Sequence, residues 1–243
     1  MRKVAQIMGL PISIDIPRAD DVPFAAAFAL LRGIDQQFSP YKKRSELSQY
    51  QTGRLTKDEL SSDMKAVMGA CQDLQLLTNG YFSALFAGRF DPSGYVKGWA
   101  IRCAGELLES LGYGTYMINA GGDVLARADD THVWRIGLQH PIEPRAIMGT
   151  IAASNIAVAS SGNYARGNHI INPITGQVAT ELLSVTVTGP DIAIADAFAT
   201  AVFAMGYKGL EFIDTQKEYE ALLVGQNMGV HMTRHFVDRS GVR

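Results

Sequence analysis

Residues 192 to 207 are the longest nearly uncharged apolar stretch in the chain, interrupted only by the carboxylate of Asp196. A helix needs about 20 apolar residues to cross a bilayer, so this stretch is too short for membrane insertion. It reads instead as a helix of a globular protein, about residues 191 to 205, closed by Gly206. A chain of 243 residues with 47% apolar side chains can bury roughly 70–75% of the surface it exposes when unfolded, enough for one large domain or two closely packed lobes. No internal repeat and no low-complexity linker marks a boundary within residues 1 to 243. The 22 basic and 24 acidic residues leave a formal charge of -2 with no tail of either sign, which argues against nucleic acid as a partner. Cys71 and Cys103 lack metal-type spacing and read as buried thiols of a reducing compartment. The first ten residues show no apolar core followed by a small-residue cleavage site, so the expected location is the cytoplasm.

The order of elements comes from periodicity and punctuation. Alternating and β-branched residues from 3 to 16 predict one or two strands ending at Pro17. Helical spacing behind Pro23 predicts a helix from Phe24 to Phe38. Ser62 is the expected cap of a second helix, Asp63 to Leu77, stopped by Asn79-Gly80, and a third runs from about Lys97 to Leu111. Short runs at 115 to 119, 132 to 139, 146 to 152, 156 to 160 and 182 to 188 predict strands. Helices and strands come in clusters without regular alternation, which favours α+β over a doubly wound sheet.

Four segments carry chemistry-bearing residues. Asn119-Ala-Gly-Gly-Asp123 ends an apolar strand. Its paired glycines can bring backbone N–H groups against a ligand, or simply turn a hairpin. Ser160-Ser161-Gly162-Asn163-Tyr164, followed by Arg166 to Gly176, crowds polar groups around His169, which can act as acid or base near neutral pH or stand as a surface histidine. Asp196 and Thr200 lie one helical turn apart, offering two oxygen donors of the kind Mg²⁺ prefers, or serving only their own helix. Asp91 to Gly98 reads as a tight turn feeding a helix, with Lys97 as a mobile charge for phosphate.

Together and in this order, these segments resemble the FAD:protein FMN transferase family, also called ApbE. The resemblance rests on Met8-Gly9, Ser39 to Leu47, Thr78 to Phe82, Asp91 to Gly98, Asn119 to Asp123, Ser161 to Tyr164, His169 to Gly176 and Asp196 to Ala201. It implies a T-fold-like α+β architecture of two closely packed lobes, with antiparallel sheets and flanking helices. It implies FAD as substrate beside a Mg²⁺ site. The FMN moiety would pass to a Ser or Thr hydroxyl in the flavinylation motif of an acceptor flavoprotein, with AMP released. By resemblance Asp196 and Thr200 are the metal pair, Gly94 offers a main-chain ligand, and His169 and Asp196 are catalytic. Met8, Tyr41, Asp91, Lys97, Gly121, Gly122, Asp123, Ser161, Gly162 and His169 fall at FAD-binding positions. The chain departs from the family pattern at Leu10, at Pro92-Ser93-Gly94, and in a short connection between Phe82 and Phe90. Hydrolysis of FAD to FMN and AMP, or flavin binding without turnover, are the alternative functions.

Overall fold

A computed structural model describes residues 1–17, 19–86, 88–129, 131–162 and 170–236. Strands β1 (Arg2–Ile7) and β2 (Leu10–Asp15) form a hairpin in which Ile7 pairs with Leu10. Its two turn residues, Met8 and Gly9, have φ of 55° and 75°, the positive pair that a type I′ turn needs to match strand twist. Helix α1 (Val22–Phe38) starts with Pro in its first turn, as expected. Helix α2 (Glu46–Gln51) is capped by Ser45.

In α3 (Ser62–Leu77) the cap is Ser61 rather than the expected Ser62, its side chain accepting from Met64 N. The choice between the two serines is made by Glu46, whose carboxylate accepts from both the backbone N and the Oγ of Ser61. The short hairpin of β3 (Leu85–Phe86) and β4 (Arg89–Phe90) leads to α4 (Ser93–Ser110). This helix begins about four residues earlier than expected, because Asp91 Oδ1 accepts from both N and Oγ of Ser93 and starts the helix there. Lys97 consequently lies in the second turn.

The remainder runs β5 (Tyr116–Ala120), β6 (Asp123–Arg127), β7 (Trp134–Gln139), β8 (Ile147–Ala153), β9 (Ile156–Gly162), β10 (Leu182–Gly189), α5 (Ile192–Met205), α6 (Gly209–Asp214), β11 (Glu220–Gly225) and β12 (Val230–Met232). The α+β class stands. One antiparallel sheet of eight strands, in the order β1-β2-β5-β6-β9-β10-β11-β12, organises the described residues. Side chains alternate between its faces. Leu125, Ala157, Ala159, Ala221 and Leu223 join the helices in the larger core. Their neighbours Val124, Ala126, Ile156, Val158, Leu222 and Val224 pack with Trp134, Ile136 and Leu138 of the β7–β8 hairpin in the smaller one. Helix α5 packs on β9 and β10 and against α4. Among the described residues no helix is long and apolar enough to cross a membrane.

The closeness of α4 to α5 depends on Gly98. A Cβ there would lie 2.7 Å from the carbonyl oxygen of Ile192 and 2.9 Å from Cβ of Asp196, so only glycine lets the two backbones meet. The strand registers also bring one set of turns together. Ile12 pairs with Ala120, Val124 with Val158, and Ser184 with Gly162. The turns at Met8-Gly9 and Gly121-Gly122 and the final residues of β9 therefore share one end of the sheet.

Candidate functional site

Three charged side chains meet where that end of the sheet faces the helices. Asp123, the first residue of β6, points to the same face as Leu125 and is 1% exposed. Lys97 of α4 places Nζ 2.5 Å from Asp123 Oδ2 and 3.4 Å from Oδ1 of Asp196, which α5 contributes. Asp123 Oδ1 accepts from Ser160 N at 3.1 Å, and Asp196 Oδ2 accepts from Gly98 N at 3.0 Å. Each carboxylate is thus fixed by one backbone N–H, and the lysine bridges them. Asp123 Oδ2 accepts no aligned hydrogen bond among the described residues; its contact with Lys97 is a charge contact made at close range but poor angle.

Burial pushes the Asp196 carboxyl well above the usual carboxylate range; Lys97 pulls it down and Asp123 pushes it further up. For Lys97, burial works against the ammonium, but the two carboxylates outweigh it and hold the ammonium firmly protonated. Two carboxylates against one ammonium leave an excess negative charge when both acids are ionised. An uncompensated charge is costly in a buried place, so the group is suited to receive a cation.

Oxygen donors lie beside it. Thr200 follows Asp196 by one helical turn, and its Oγ1 is 3.3 Å from Ser161 Oγ at the end of β9. A Cβ on Gly94 would lie 4.0 Å from Thr200 Cγ2, so the first turn of α4 touches the same threonine. In α-helical register the Gly98 N–H faces the Gly94 carbonyl, and that same N–H reaches Asp196 Oδ2. A carboxylate, a hydroxyl and a main-chain carbonyl are thus supplied by neighbouring turns of α4 and α5, oxygen donors of the kind Mg²⁺ takes, with water completing its octahedron. Among the described residues no three His, Cys, Asp or Glu side chains gather into a site of their own.

The other expected residues divide into two groups. Met8, Gly121, Gly122, Ser161 and Gly162 lie at the shared end of the sheet. Gly121 and Gly122, with φ of 63° and 106°, turn the β5–β6 hairpin, and Asn119 Oδ1 accepts from Gly122 N. The hairpin reading of this motif is therefore correct, and it is this turn that starts β6 at Asp123. Asp91 is occupied in starting α4. Tyr41 is 93% exposed on the loop before α2. His169, with Asn163, Tyr164 and Arg166, lies outside the described residues. Lys97 differs most from expectation: its ammonium is engaged by two aspartates, whereas a lysine free for phosphate was expected. Two participants were missed. The N–H groups of Ser160 and Gly98 act through the backbone, which no side-chain motif reveals, although Gly98 stood in the sequence directly after the lysine.

Comparison with known proteins bears on this arrangement. The model of the family described as "ApbE family" matches residues 8–88 and 86–223. A protein of Vibrio cholerae named FAD:protein FMN transferase is 32% identical over 128 residues, covering 48% of this chain and 38% of its own length. One of the same name from Haemophilus influenzae is 30% identical over 153 residues, covering 57% and 44%. The match thus spans less than half the length of these two relatives. The crystal structure of the ApbE protein from Thermotoga maritima superposes with a TM-score of 0.88 at 20% identity over 99% of both chains. That of the flavin transferase ApbE from Vibrio cholerae gives 0.83 at 23% over 98% of both. At these identities the structures establish the fold.

Proposed function

The chain belongs to the ApbE family, and from that membership we propose that it is an FAD:protein FMN transferase, its catalytic domain spanning residues 1 to 243. A Ser or Thr hydroxyl in the flavinylation motif of an acceptor flavoprotein attacks the FMN-side phosphorus of FAD. The bond from that phosphorus to the bridging oxygen breaks, and AMP leaves with the bonding electrons. His169 takes the proton of the attacking hydroxyl. One observation carries the reading: within the region matched by the family, the Lys97, Asp123 and Asp196 group and the Ser161 and Thr200 hydroxyls lie at one end of the sheet.

Asp196, Thr200 and the Gly94 carbonyl would hold Mg²⁺, which when bound would supply positive charge to the diphosphate. The protein's own residues provide position, which is most of what phosphoryl transfer requires. Gly98 N fixes the Asp196 carboxylate, and Ser161 Oγ steadies Thr200 from the strand side. The Gly121-Gly122 turn and the Ser161-Gly162 end of β9 line the side that receives the anionic part of FAD, with Met8 of the neighbouring turn and the open Tyr41 ring serving its flavin or adenosine side. Asp91 contributes by setting the start of α4. A cytoplasmic location agrees with Cys71 and Cys103 as free thiols.

The test is incubation with FAD, Mg²⁺ and candidate acceptor flavoproteins, followed by mass spectrometry of the acceptor. An FMN phosphoester adduct with stoichiometric AMP is expected. FMN and AMP release without any adduct across several acceptors would replace transfer with hydrolysis, and intact FAD throughout would remove both.

A further inference from the structure

Asp123 and Asp196 compete for one ammonium, and they do so unequally. Lys97 Nζ is 2.5 Å from Asp123 Oδ2 but 3.4 Å from Asp196 Oδ1. The two aspartates are the fixed members of the group. Asp123 is 1% exposed, sits where the β5–β6 hairpin starts its second strand, and is pinned through Oδ1 by Ser160 N of β9. Asp196 is 3% exposed and pinned through Oδ2 by Gly98 N. Lys97 is the movable member: its four-carbon stem is flexible, and its side chain remains 27% exposed.

We propose that Asp123 is a positioning residue for the cation site, acting by holding Lys97 off Asp196; the inference rests on the metal reading given above. A monovalent ammonium seated fully on Asp196 would occupy the lone pairs and cancel the charge that a divalent ion needs. Asp123 draws that ammonium to itself and leaves Asp196 as the carboxylate with charge to spare. Asp123 thereby sets cation affinity without being a ligand. Without its charge, Lys97 has Asp196 as its remaining partner in the group and swings onto it. Asparagine at 123 would promote the swing, because its amide can still accept from Ser160 N while offering Lys97 a donor in place of an oxygen.

Removing the competing ammonium should then raise cation affinity by a larger factor in Asp123→Asn than Lys97→Met alone does in the otherwise wild-type protein, a difference that a purely structural aspartate would not show. Mn²⁺ serves as the probe, titrated into the 243-residue protein with the unbound ion followed by electron paramagnetic resonance, first without and then with FAD. Asp123→Asn is expected to weaken Mn²⁺ binding by about 10-fold or more, the range seen when partners of metal ligands are removed. Adding Lys97→Met to Asp123→Asn is expected to return the affinity to within about three-fold of the wild type, since the competing ammonium is gone. Far-UV circular dichroism and thermal melts check the fold of each variant, and Asp123→Ala, which removes the same charge, repeats both arms should the asparagine variant not fold. Unchanged Mn²⁺ affinity in Asp123→Asn, or a gain from Lys97→Met no larger in Asp123→Asn than in the otherwise wild-type protein, overturns the inference while leaving the metal site in place. A wild-type protein that binds no Mn²⁺ in either titration overturns the metal reading itself, and this inference with it.

Discussion

Adding one methyl group at position 98 tests how α4 and α5 together build the site. In an exposed helix interior, Gly→Ala stabilises by about 1 kcal/mol through propensity. At Gly98 the new Cβ would fall 2.7 Å from Ile192 O, 2.8 Å from Ala193 Cα and 2.9 Å from Asp196 Cβ, whereas ordinary contact starts at 3.4 Å. Two of those three atoms are backbone and cannot rotate away, so the helices must part by several tenths of an ångström. Overpacking of this kind costs about 1–3 kcal/mol and more against rigid neighbours. Rigid backbone neighbours put Gly98→Ala at the upper end of that range, so after subtracting the propensity gain it should lose about 2 kcal/mol, or about 4–8 °C in Tm for a domain of this size.

Gly69 of α3 supplies the control. A Cβ there meets nothing within 4 Å, so Gly69→Ala should keep or raise stability by up to about 1 kcal/mol. Thermal melts and urea unfolding compare the two variants with the parent. Separation of the helices also lengthens the Gly98 N to Asp196 Oδ2 hydrogen bond, so Gly98→Ala should bind Mn²⁺ more weakly, and Gly69→Ala should not. Equal stability of the two variants, with equal Mn²⁺ affinity, would refute the close crossing and its role in orienting Asp196.

Three other outcomes follow from the same geometry. Asp196→Ala should abolish Mn²⁺ binding while the protein stays folded, because Lys97 keeps Asp123 as its partner; binding by titration and a melt check both halves. Glu46→Ala should lower stability in urea by about 1–3 kcal/mol, because Glu46 Oε1 and Oε2 receive Ser61 N, Ser61 Oγ and Gln37 Nε2, yet it should leave Mn²⁺ affinity unchanged. Burial raises the Cys71 thiol to about 12 and that of Cys103 to about 11, from a reference of 9.0. Raised folded-state values mean that stability is complete below pH 9 and declines as pH climbs toward 11 to 12. Alkaline denaturation should therefore begin in that window, and a thiol reagent at pH 7.5 should react slowly until urea is added.

Local chemistry was readable from the chain wherever a residue's effect is confined to its neighbours. Pro23 begins α1, Asn79-Gly80 ends α3, Gly206 ends α5, and the paired glycines Gly121-Gly122 turn the β5–β6 hairpin, because each depends on backbone sterics a few residues wide. The order of the motifs was sufficient to indicate the family. Helix α2 lay in what read as a loop, and the β3–β4 hairpin, strands β11 and β12 and helix α6 escaped notice too. Every residue of β11 is buried, and a short segment covered on both faces has no two-residue period to distinguish it from a piece of helix.

Charge partners were decided by tertiary structure alone. Lys97, Asp123 and Asp196 come from α4, β6 and α5, and whether the lysine serves phosphate or aspartate depends on the distance between elements that only packing establishes. The same holds for Ser161 beside Thr200 and for the N–H groups of Ser160 and Gly98. A Coulomb interaction depends on separation in space, whereas caps, turns and periodicity depend on separation along the chain. For that reason the sequence could name the acidic and hydroxyl residues of the site, and only the fold could pair them.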